Sequence, residues 1–201
     1  MPEASALSAS ETASASPTDA AKRRIFAMLD VDGDGVISRA EYLARVDRVA
    51  AALGRDAHHP VVATARAAHE AVYEDMDADR DGRVSFEEYR IWAGHDAFER
   101  SCRPALGSLF DIADFDADGR LSEDEFSRLR VAAGNAGADV GAAFAALDTD
   151  RDGLVDRDAY LAGIRAFVTT GASAMAAAYG SAQRPAAEPP GRPRYRTRHD
   201  R

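Results

Sequence analysis

One twelve-residue stretch constrains this chain more than any other: Asp30-Val31-Asp32-Gly33-Asp34-Gly35-Val36-Ile37-Ser38-Arg39-Ala40-Glu41. It sets carboxylates at its first, third and fifth positions, glycine at the sixth and glutamate at the twelfth. Like charges crowded this closely repel one another until a cation lies between them. Calcium takes about six to eight oxygen ligands. A tight loop supplies them from Asp30, Asp32 and Asp34, from the Val36 carbonyl, from Ser38 directly or through water, and from both oxygens of Glu41. Gly35 stands where the chain must turn sharply, which a side chain would resist. Ile37, apolar within a polar loop, is expected to point inward and let the loop pair with a second one.

The pattern repeats, and a repeat of this length decides the architecture. The second copy reads Asp77, Asp79, Asp81, Gly82, Arg83 (through its carbonyl), Val84, Ser85 and Glu88. The third reads Asp114, Asp116, Asp118, Gly119, Arg120 (again through its carbonyl), Leu121, Ser122 and Glu125. A fourth begins alike with Asp148, Asp150, Asp152, Gly153, Leu154, Val155 and Asp156, but its twelfth position is Ala159. Asp158 falls one residue early, and Gly153 and Val155 pin the register. The sequence therefore offers three complete cation loops and one degenerate loop.

The flanks repeat as well. Before the loops, apolar residues fall at helical spacing: Ile25, Phe26 and Leu29; Val72, Tyr73 and Met76; Leu106, Leu109 and Phe110; Val140, Phe144 and Leu147. An aromatic follows position twelve each time, at Tyr42, Tyr89, Phe126 and Tyr160. Each loop is thus expected to join two amphipathic helices whose apolar faces meet in a common core, which makes the fold all-α. Acidic surface turns that merely look like ligand loops would not carry these matching flanks.

The formal net charge of −9 averages over unlike parts. Residues 184–201 hold six arginines against Glu188 and Asp200, a balance of +4, and residues 1–18 carry −2, so residues 19–183 carry −11. Much of that charge sits in the loops, so cation binding should stabilise the fold as well as occupy it. The single cysteine, Cys102, rules out an intramolecular disulfide framework and has no histidine signature beside it, so it reads as a spectator thiol. The first eighteen residues lack a positive start followed by an apolar run, and no apolar stretch approaches spanning length. The expectation is a soluble, cytoplasmic protein without a membrane partner.

Along the chain, residues 1–18 are mostly alanine, serine and threonine and read as a disordered tail. Asp19 is a candidate cap for the first helix. Residues 19–98 hold one loop pair (30–41 and 77–88) and 99–170 a second (114–125 and 148–159). Residues 171–201 read as a further alanine-rich helix followed by a Pro/Arg-rich tail. The 47-residue step from Asp30 to Asp77, against 37 and 34 for the later steps, demands extra connector between the first two loops. His58-His59-Pro60 reads as part of that connector rather than as a transition-metal site, and Trp92 as a core residue. Gly134-Asn135-Ala136-Gly137 should break a helix, with Asp139 capping the next. The arginine run of the tail suits phosphate or an acidic surface, but a solvated tail is the simpler reading beside an acidic body, so nucleic acid is not an expected partner.

The loops resemble those of the EF-hand superfamily across roughly residues 19–168. Four hands with a long connector between the first two are similar to the calerythrin and sarcoplasmic calcium-binding protein group of bacterial type. The resemblance implies four helix-loop-helix units in two pairs, each pair joined by a short β-bridge, through Ile37 with Val84 and Leu121 with Val155. It also implies that a hand can lose its ion and remain as a structural partner. Loop four, with Asp148, Asp150, Asp152, Leu154 and Asp156 but no twelfth-position glutamate, fits that role. It would bind an ion weakly or not at all, with Mg2+, which keeps its waters, a candidate occupant there or a competitor elsewhere.

Within that group two functions compete. Sensors open apolar grooves, often rich in methionine, whereas buffers barely move. The internal methionines are only Met28, Met76 and Met175, and the aromatic content suits a fixed core. An intracellular calcium buffer is the expectation, and a calcium sensor regulating a protein partner is the alternative. No nucleophile–base constellation and no phosphate loop suggests an enzyme.

Overall fold

A computed structural model describes residues 16–135, 139–173 and 175. Helix α1 (Pro17–Leu29) begins where the Ser16 hydroxyl accepts from the Asp19 amide at 3.1 Å, with Pro17 at the first helical position. Ser16, not Asp19, is therefore the cap, because proline's fixed φ and missing N–H suit the position directly after a cap. Of the stretch 1–18, residues 1–15 lie outside the described residues, and Pro17 and Thr18 are already helical.

The four loops alternate with helices as the repeat requires. Helices α2 (Arg39–Ala52), α3 (Pro60–Met76) and α4 (Phe86–Trp92) complete the first two hands. A three-residue helix α5 (His95–Ala97) and a π-helical turn (Phe98–Cys102) lead into α6 (Arg103–Ala113). Helices α7 (Glu123–Ala132), α8 (Val140–Leu147) and α9 (Arg157–Thr170) complete the last two. The long first step is taken up by the seventeen-residue α3 and by the connector before it. His59 is the cap of α3, its ring Nδ1 accepting from the Val61 amide at 3.2 Å, which gives this histidine a structural role. Asp139 caps α8 as expected, accepting from Ala142 at 3.0 Å.

Short antiparallel bridges pair the loops. Strand β1 (Val36–Ser38) pairs with β2 (Arg83–Ser85), setting Ile37 opposite Val84. Strand β3 (Arg120–Ser122) pairs with β4 (Leu154–Asp156), setting Leu121 opposite Val155. All four of these apolar residues are buried, so each bridge pins its two loops to the core beneath.

The hydrophobic residues fall into two clusters that interlock. Val46, Val49, Leu53 and Val62, from α2, α3 and the turn between them, belong to the cluster built mainly from α6–α9. Conversely Phe167 of α9 and Ala105 of α6 belong to the cluster of the first two hands. The ends of the chain meet too: Gly171, at φ 74°, closes α9 so near Pro17 that a Cβ there would fall 2.5 Å from the Pro17 carbonyl oxygen. Met175 lies buried over Gly163, and the remainder of the alanine-rich segment expected from residue 171 onward lies outside the described residues.

Phe126 makes edge-on contacts with Phe144 at 5.6 Å and Tyr160 at 6.2 Å and is wholly buried. Phe126→Ala should cost about 3–5 kcal/mol of stability in urea unfolding of the calcium-free protein. Val131→Ala, on the exposed side of the same hand, should stay within about 0.5 kcal/mol of the parent.

Candidate metal centres

Backbone hydrogen bonds shape all four loops in one way. The position-one carboxylate accepts from the position-six glycine amide: Asp30 from Gly35 at 3.2 Å, Asp77 from Gly82 at 3.0 Å, Asp114 from Gly119 at 2.9 Å and Asp148 from Gly153 at 3.0 Å. The position-five carboxylate accepts from the amide two residues on, Asp34 from Val36, Asp81 from Arg83, Asp118 from Arg120 and Asp152 from Leu154, at 2.8–3.0 Å. These turns gather carboxylate oxygens to within 4.8 Å of one another in four groups: Asp30, Asp32 and Glu41; Asp77, Asp79 and Asp81; Asp114, Asp116 and Asp118; Asp148, Asp150 and Asp152. Position four takes a left-handed backbone throughout. It is glycine only in loop one, so Arg80, Ala117 and Arg151 carry that conformation at φ near 60°.

The twelfth-position glutamates are held from two sides. Glu41 Oε2 accepts from the Ser38 amide and hydroxyl, while Ser38 Oγ accepts from the Glu41 amide. Ser85 with Glu88 and Ser122 with Glu125 repeat this reciprocal cap. Positions nine and twelve are thus a helix-starting capping box as well as a candidate ligand pair. Burial opposes the charge of Glu41, but the hydrogen bonds from Ser38, Asp32 and Val31 outweigh it and hold the carboxyl below its usual range. Burial likewise opposes the charge of Glu125, and the Phe115 and Ser122 donors overcome it. For Asp114 burial wins over its amide donors, and the carboxyl is pushed up.

Two oxygens test whether a cation fits. Asp30 Oδ1 and Glu88 Oε1 are buried and accept no hydrogen bond, while the Ser85 amide and hydroxyl on the other Glu88 oxygen hold that carboxyl below its usual range. An ionised carboxylate oxygen is acceptor-only, and leaving it buried without a donor is costly. A cation between Asp30, Asp32 and Glu41, whose oxygens come together, removes that cost in loop one, so the residues fit calcium. Asp30, Asp32, Asp34, Val36, Ser38 and Glu41, and their counterparts in loops two and three, would hold it. The bound ion would supply the positive charge that these oxygens share.

Two features here are not legible in the loop pattern. Arg83 reaches across the first bridge to Asp34 at 3.2 Å, and Arg120 across the second to Asp152 at 2.8 Å. In each pair a position-seven arginine of one loop neutralises a position-five aspartate of the other, because antiparallel pairing sets the two loops side by side. Such exposed pairs contribute little stability.

Loop four gathers its aspartates as the others do, yet its helix start differs. Asp156 alone caps α9, accepting from the Ala159 amide at 2.8 Å. Asp158 does not replace the missing glutamate: it is 83% exposed and pairs with Arg103 at 2.7 Å. Beside Ala159 lies a cavity of about 90 Å³ bordered by Asp150, Asp152 and Asp156.

Comparison with known proteins agrees with this geometry. The description "EF-hand domain pair" matches residues 18–93 and again 106–131, and "EF hand" matches 140–158. The chain is 31% identical over 141 residues to "Probable calcium-binding protein CML16" of Oryza sativa subsp. japonica, covering 69% of this chain and 74% of that one. It belongs to the EF-hand family and is a calcium-binding protein. Its similarities extend to the bacterial calerythrin group that the loops resemble. Calerythrin of Saccharopolyspora erythraea is 28% identical over 161 residues, 75% of this chain and 90% of its own. A Streptomyces coelicolor calcium-binding protein, described in terms of prokaryotic calcium-mediated regulation, superposes with a TM-score of 0.66 at 26% identity, over 77% of this chain and 99% of its own.

Ala159→Glu should raise the number of calcium ions bound by one, read by calorimetric titration, because it adds the two oxygens and the capping partner that loop four lacks. Glu88→Gln should weaken loop two about tenfold or more while leaving α4 helical by circular dichroism.

Proposed function

We propose that this protein is a cytoplasmic calcium buffer with three calcium-binding loops, 30–41, 77–88 and 114–125, and a fourth, 148–159, kept as a structural partner with weak or no affinity for Ca2+ or Mg2+. The interlocked core carries the reading. Phe167 sits among the residues of the first two hands, and Val46, Val49 and Leu53 among those of the last two. Opening one hand to expose a groove would therefore pull apart the core of the other. Arg55 adds a polar tie, donating from Nε to the Ile112 carbonyl at 2.8 Å while its guanidinium lies 3.7 Å from the Phe115 ring centre. A body welded in this way favours binding without opening. The reading assigns the protein no catalysis and no membrane or nucleic-acid partner. Among the described residues, no helix is long and apolar enough to cross a membrane.

A sensor is the second reading, favoured by the regulatory role stated for the Streptomyces protein. Calorimetric titration of the metal-stripped protein in millimolar magnesium, run alongside an apolar fluorescent dye, separates the two. A buffer binds three calcium ions tightly and leaves the dye dark. A sensor binds cooperatively in the micromolar range and lights the dye.

A further inference from the structure

Between the two clusters, where α1, α2, α3, α4, α6 and α9 converge, lies a cavity of about 60 Å³ away from the metal loops' carboxylates. Its walls are mostly apolar, with Ile25, Trp92, Leu106 and Val168 among them. Two basic side chains also face it, Arg45 at 6% exposure and His69 at 0%. Neither is explained by the fold or by calcium binding.

Arg45 is a buried cation with no counterion among the described residues. No carboxylate among the described residues pairs with it, and its Nε–H makes no hydrogen bond. Burial of an unpaired charge is tolerated only where something else supplies the opposite charge. His69 has the complementary need. Its Nδ1–H donates to the Ala65 carbonyl at 2.8 Å, which leaves Nε2 as the unprotonated nitrogen, an acceptor with no donor. Burial first and the Arg45 charge second lower the imidazole to about 4, so the ring is neutral at ordinary pH.

The cavity thus asks for one anionic acceptor and one hydrogen-bond donor, joined by an apolar body. Water would satisfy His69 but leave the Arg45 charge unmatched. Size narrows the class further, because at about 10–15 Å³ per water-sized group the space takes about four to six such groups. We propose that this cavity binds a short-chain hydroxycarboxylate, its carboxylate on Arg45, its hydroxyl donating to His69 Nε2, and its carbon chain against the Trp92 and Leu106 wall. This site is independent of the buffer-or-sensor question, since neither basic side chain belongs to a loop.

The test is calorimetric titration of the calcium-saturated full chain with lactate, together with the imidazole nitrogen resonances of His69. Saturable binding is expected, with a shift of the Nε2 resonance and about tenfold weaker binding of propionate, which lacks the hydroxyl. Arg45→Met should weaken lactate about tenfold or more while keeping the parent's calcium stoichiometry. If that variant does not fold, the propionate comparison and the His69 resonance in the native chain decide alone. No saturable heat and no shift at tens of millimolar ligand would overturn the proposal and leave the cavity to water. Equal binding of uncharged propane-1,2-diol would overturn it too, as would inorganic phosphate binding as well as lactate or lactate binding undiminished in a folded Arg45→Met chain.

Discussion

The hydrogen bond from the position-six glycine amide to the position-one aspartate is the contact on which the rest of the molecule depends. It folds each loop back so that carboxylates separated along the chain come within 4.8 Å of one another. Glycine is required there because the backbone takes a positive φ, near 82° in three of the loops and 93° in the first. Once the turn is made, the next residues run straight into the β-bridge, and the bridge sets the angle at which the two helices of each hand enter the core.

The same turn creates an electrostatic debt that the backbone repays only in part. Amides and serine hydroxyls satisfy most of the carboxylate oxygens, and the arginines at position seven neutralise an aspartate in each partner loop. Among the buried oxygens of the described loop residues, Asp30 Oδ1 and Glu88 Oε1 are left without a donor. The loops are therefore folded enough to be ready for a cation and strained enough to gain from one, which couples metal binding to stability. Loop four keeps the turn and the bridge but lacks the glutamate, so it retains its structural value to loop three even where its ligand set is incomplete.

Much of this was legible in the sequence because it is local. The twelve-residue spacing located each loop, and the apolar flanks located each helix. Ile37, Val84, Leu121 and Val155, apolar inside acidic loops, marked the bridges that the structure contains. What was not legible is mostly non-local. Ser16 took the capping role that Asp19 was expected to have, because proline at the following position suits the first helical residue. The arginine pairs across the bridges depend on which loops lie side by side. Asp158 looked like a near-miss for a ligand, and its pairing with Arg103, fifty-five residues away, turns it from the loop.

The sequence by itself determined the number of loops, their ligand chemistry, the missing glutamate at position 159 and the all-α architecture. Each of these follows from residue types at fixed short spacings, where backbone geometry leaves few alternatives. Only the tertiary structure decided how the hands share their cores, that Phe167 packs among the first two, and that Arg45 and His69 come to face one cavity. Those outcomes depend on how helices distant in sequence pack their sides together. Many residues contribute weakly to that packing, and no single motif encodes it.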